Sequence, residues 1–60
     1  MGKYYEWESA VIQLVADELE VAYSDASAIV EGQPFYMQQS WGKGMDAKDT
    51  AAKVLAAARQ

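Results

Sequence analysis

Glu8 and Glu18 stand apart from the other acids of the first half of the chain. On a helical wheel drawn from Tyr4 to Leu19 they fall toward the apolar side, and paired carboxylates are the groups that acid–base chemistry would use. Ten residues at 1.5 Å each separate them by about 15 Å along a helix axis. That is too far to share a proton, and wide even for the roughly 6.5–9.5 Å of an inverting glycosidase pair. They read as edge residues that reach water or pair with Lys48, Lys53 or Arg59. A carboxylate-only metal site would be hard and oxygen-rich, and no acidic loop with calcium-binding spacing is present. The chain contains no Cys and no His. Disulfides, zinc sites built from those ligands, and Ser-His-Asp or Cys-His arrangements are therefore excluded. The remaining nucleophiles, Ser, Thr, Tyr and Lys, have no base identifiable from spacing. No catalytic, cofactor-binding or metal-ligating residue is expected, and the chain reads as non-enzymatic.

The segment Trp41-Gly42-Lys43-Gly44-Met45-Asp46 places Gly and Lys before a helix. A phosphate-binding loop needs a longer pattern ending in Gly-Lys-Ser/Thr after a strand; these glycines read instead as the end of one helix and the start of another. A second pattern runs from Gln13 to Val30. Ala16 is a small residue in a first helix, Leu19 and Val21 flank a turn, and Ile29 is apolar late in a second helix. This stretch resembles the helix-turn-helix family of bacterial regulators, which implies a DNA-reading second helix. Glu20 stands where that family usually has glycine, and Ala26 replaces a larger aliphatic. The stretch Ser24 to Glu31 carries two acids, Asp25 and Glu31, and no Lys or Arg. Phosphate neutralisation supplies most non-specific DNA affinity, and Arg is the commonest reader of guanine. The segment has the outline of a DNA reader without its charge.

Aromatic residues are the remaining lead. There are seven: Tyr4, Tyr5, Trp7, Tyr23, Phe35, Tyr36 and Trp41. Most should pack into the core, but so short a chain is not expected to bury all of them. Exposed Tyr and Trp are enriched at interface hot spots, so Tyr4, Tyr5, Trp7, Tyr36 and Trp41 are the candidate partner contacts. A second candidate surface is acidic: Asp17, Glu18, Glu20, Asp25 and Glu31.

These residues must be positioned by helices. Tyr4, Trp7, Val11, Leu14, Val15 and Leu19 share one side of a first helix over 4–19, with Tyr5 and Ile12 at its edge. Glu6, Ser9, Gln13, Asp17 and Glu20 lie opposite, an amphipathic pattern with a wide apolar face. Ser24 reads as the N-cap of a second helix over 25–31, with Ala26, Ile29 and Val30 inward. Gly32 suits a left-handed residue after it. Pro34 suits the first turn of a third helix over 34–41. Asp46, with Asp49 three residues on, reads as the cap of a fourth helix over 47–59. There Ala47, Ala51, Val54, Leu55 and Ala58 share a face that should receive the first helix. No segment alternates as a strand would. The expected fold is all-α: one domain, a compact bundle of three to four short helices.

Sixty residues with 52% apolar content, eleven of them alanine, leave twenty larger apolar or aromatic side chains for a core. Such small domains bury only about 60% of their unfolded surface, so a partner subunit would help. No apolar run reaches the roughly 18 residues of a membrane span, and the N-terminus lacks the apolar stretch of a signal peptide. The cytosol is the default location, without membrane attachment. The net charge is −4, which argues against nucleic acid as a partner. It is unevenly spread: residues 1–31 carry −6 and residues 32–60 carry +2. The expected function is that of a small interaction or accessory protein, acting through its aromatic patch and acidic N-terminal half on a protein partner or on a second copy. Two rivals are a helix-turn-helix regulator and an acidic inhibitor that occupies a nucleic-acid-binding surface of another protein.

Overall fold

A computed structural model describes residues 3–59. They form α1 (Lys3–Leu19), α2 (Tyr23–Glu31), α3 (Pro34–Gly42) and α4 (Ala47–Ala58). The all-α bundle read from periodicity is therefore the fold, with helix ends within one or two residues of expectation. Val11, Ile12, Val15 and Ala16 of α1 meet Ala26 and Val30 of α2, Met37 of α3, and Ala51 and Val54 of α4 in one buried cluster. The radius of gyration is 10.3 Å, close to the roughly 10.4 Å expected for a folded chain of this length.

The connections explain the order of the elements. At the end of α1, Glu20 has φ of +57°, and the Val21 N–H donates to the Ala16 carbonyl at 3.1 Å. A left-handed residue followed by this long-reach bond is a Schellman ending, and it turns the chain within three residues into α2. At the end of α3, Gly44 has φ of +73°. Met45 N–H reaches the Ser40 carbonyl at 3.0 Å, and Gly44 N–H reaches that of Trp41 at 3.1 Å, which is the same device. The start of α4 is capped as its sequence suggests. The Asp46 carboxylate accepts the Asp49 N–H at 2.8 Å, and the buried Thr50 hydroxyl donates to the Asp46 carbonyl at 2.9 Å. Pro34 sits in the first turn of α3.

Four local expectations are corrected. Ser24 is not the cap of α2: Ala22 is, with extended backbone and no side-chain bond, and Ser24 lies inside the first turn. Tyr23, the first helical residue, hydrogen-bonds through its hydroxyl to that of Ser9 at 2.8 Å, so a tie to α1 helps set where α2 begins. Gly32 is not left-handed: its φ is −75°. Its N–H bonds to Ala28 and Ile29, and that of Gln33 to Val30, so α2 tightens and runs on into α3 without reversing hand. Leu14 is not core: it is 37% exposed. The buried stripe of α1 is rotated toward Ile12 and Ala16, which share the buried cluster with Ala26 and Val30 of α2 and Ala51 and Val54 of α4. Ala58 is likewise exposed, and Thr50 takes a buried place on α4.

Candidate functional site

The N-terminal half of α1 and the C-terminal end of α3 bring aromatic side chains together. The Tyr4 ring stands 5.2 Å from that of Trp41, edge to face at 87°. Trp7 lies 5.2 Å from Trp41 and 5.7 Å from Tyr4. Tyr5 leans edge-on against Tyr4 at 5.7 Å. Edge-to-face pairs in this range contribute about 0.5–1.5 kcal/mol beyond their burial. The Trp7 indole N–H donates to the Met45 carbonyl at 3.0 Å, which fixes α1 to the turn between α3 and α4. Four of the five candidate contact residues thus form one cluster. Its outer members remain open to water, Tyr5 at 70% and Trp41 at 42%, while Tyr4 and Trp7 are half-buried.

Tyr36 is not in this cluster. It stacks on Phe35 at 5.8 Å and 20°, and Phe35 is 61% exposed. Phe35 was not singled out as a contact residue. The signal that could have found it is its place next to Pro34, in the first turn of a nine-residue helix with only two buried positions.

Burial, the Glu8 carboxylate and Tyr5, in that order, raise the Tyr4 phenol above its ordinary value. Glu8 therefore acts on an aromatic neighbour. Glu18 lies near the other end of α1, in a shallow groove of about 230 Å³ between α1 and α4, lined by Leu14, Glu18, Lys48, Ala51, Ala52 and Leu55. The groove is smaller than the roughly 300–1,000 Å³ of most small-molecule sites. Among the described residues, no three carboxylates gather where they could hold a metal ion.

Asp17, Glu18, Glu20, Asp25 and Glu31 are all exposed. Asp17 accepts from Gln13 at 3.0 Å and Glu31 from Ser27 at 2.9 Å, both within their own helices. Glu18 borders the α1/α4 groove. Asp25 and Glu31 occupy the first turn and the last residue of α2, about 9 Å apart along its axis.

The stretch Gln13 to Val30 spans the end of α1, a three-residue turn and nearly all of α2. Ala16 and Ala26 are buried, and Leu19 and Ile29 half-buried, whereas Val21 is exposed. Glu20, which stands at the family's glycine position, adopts the positive φ that glycine would favour. The exposed residues of α2 are Tyr23, Ser24, Asp25, Ala28 and Glu31.

The chain matches no protein-family model, no curated protein and no solved structure. No helix among the described residues is long and apolar enough to cross a membrane.

Proposed function

We propose that this chain is a small non-enzymatic binding protein of the cytosol that presents the Tyr4–Tyr5–Trp7–Trp41 cluster to another protein. The observation that carries this reading is the cluster's construction: half-buried Trp7 and Tyr4 hold Trp41 and Tyr5 in place while both remain exposed. Rigid aromatics held this way lose little entropy on binding, which is why such residues dominate interface energies. The α1/α4 groove, smaller than most small-molecule sites, suits surface contact more than enclosure of a substrate.

The test compares capture of cellular proteins by the native chain and by a Tyr5→Ser/Trp41→Ser variant, with helix content checked by circular dichroism. A partner held by the native chain and lost at least tenfold by the folded variant supports the reading. Equal retention by both would remove it.

A second reading, a DNA-binding regulator, is favoured by one observation, the left-handed turn at Glu20. It requires a salt-sensitive complex. A low-salt gel shift with mixed-sequence duplex that shows no retarded band ends it.

A further inference from the structure

The α1/α4 groove has opposite charges at its two ends. The Trp7–Met45 bond places the chain just before α4 beside the first half of α1, yet α4 also shares a groove with Leu14 and Glu18 near the end of α1. An α4 running antiparallel to α1 from Met45 would leave Glu18 behind, so the two helices run in the same general sense. Lys48 therefore stands at the end where α4 begins, and Glu18 at the end where α1 finishes. Leu14, Ala51, Ala52 and Leu55 supply the apolar lining, with Leu55 toward the Glu18 end. Lys48 and Leu55 are about 10 Å apart along α4. Asp49 and Arg59 are not among the lining residues.

We propose that a second copy of this chain docks on this groove about a two-fold axis perpendicular to it. Such an axis reverses one groove upon the other, so the negative end of each copy meets the positive end of its mate, and both pairs form together. The apolar centre supplies contact without charge: Leu14 faces Leu14, and Ala52 lets the helices approach closely. A standard interface takes about 800 Å² from each partner, a fifth of the 4048 Å² that one chain exposes. The contact must then extend from the groove onto the flanks of α1 and α4. The aromatic cluster lies toward the start of α1 and stays free for another protein.

The experiment is sedimentation equilibrium across concentration and salt, on the native chain and on charge reversals. The native chain should approach twice its 6.6 kDa and dissociate as salt rises, since the pairs are exposed. Glu18→Lys and Lys48→Glu should each weaken association at least tenfold, and the double exchange should restore it. Loss of association cannot be blamed on unfolding. A cation near the end of α1 and an anion in the first turn of α4 both suit their helix dipoles, and circular dichroism checks that helix content is kept. Tyr5→Ser/Trp41→Ser should leave the mass unchanged. A native chain that stays at 6.6 kDa up to about 1 mM overturns the proposal. So does association indifferent to both reversals, or a double exchange that fails to recover it. Association abolished by the aromatic substitutions and not by the reversals would move the self-contact to the cluster and also overturn it.

Discussion

Glu20 carries a cost that its neighbours impose. A side chain at φ of +57° meets a carbonyl oxygen that glycine would avoid, worth about 1 kcal/mol. Its carboxylate also stands at the negative end of α1, beside Asp17 and Glu18, with no basic residue in the last turn. Glu20→Gly should therefore stabilise the fold by about 1 kcal/mol, raising the melting temperature by roughly 4–8 °C in a domain this small. Glu20→Gln removes the charge and keeps the strain, so it should recover only the smaller part. Gly44→Ala should act in the opposite direction, because its φ is +73°. Tyr4 offers a second check at this scale. Its phenol is raised by burial first and by Glu8 next, so folding favours the protonated form. The associated stability is fully present below the ordinary tyrosine value of about 10 and is lost as pH rises through the folded value. A pH titration of tyrosinate absorbance should show one tyrosine ionising late, and Glu8→Gln should bring it earlier.

At the scale of elements, the legible features were those decided within a turn or two. The Asp46 cap depends on a residue three positions on, and Pro34 acts through its own ring in the first turn of α3; both are where the sequence puts them. Asp46→Ala should cost about 1 kcal/mol by thermal or urea unfolding, because Asp49 N–H loses its acceptor. The misread features were set by distant contacts. Ser24 has good capping chemistry, yet the start of α2 goes with a hydroxyl pair between Tyr23 and Ser9. Leu14 has the right period for the core, yet α2 and α4 draw the Ile12 and Ala16 side inward. Gly32 has the right type for a left-handed cap, but the chain needs no reversal of hand there. The aromatic cluster was half legible. Tyr4, Tyr5 and Trp7 are neighbours in sequence, whereas Trp41 joins them from the end of α3, a placement set by the packing of distant helices.

For the whole molecule the margin is narrow. At about 0.05–0.15 kcal/mol per residue, sixty residues give about 3–9 kcal/mol. Val15 is fully buried at the centre of the cluster, and Val15→Ala should cost about 2 kcal/mol through lost burial and the cavity left behind. A urea midpoint well below that of the native chain would show it. Leu14→Ala, on the groove, removes a side chain that is only 37% exposed and should cost a dilute chain about 1 kcal/mol, less than Val15→Ala. It should reduce any rise of melting temperature with concentration, the signature of folding linked to self-association. The cluster around Trp41 has one more consequence, and it is optical. Both tryptophans of the chain lie within 5.2 Å of each other, so indole emission reports a single place, the closure of the first turns of α1 against the end of α3. Backbone dichroism reports all four helices together. If the chain unfolds as one unit, the two signals move together on heating. If the start of α1 frays first, the emission moves ahead, and the lag between them measures how firmly the hydrogen bond from Trp7 to Met45 holds the start of α1 to the turn before α4.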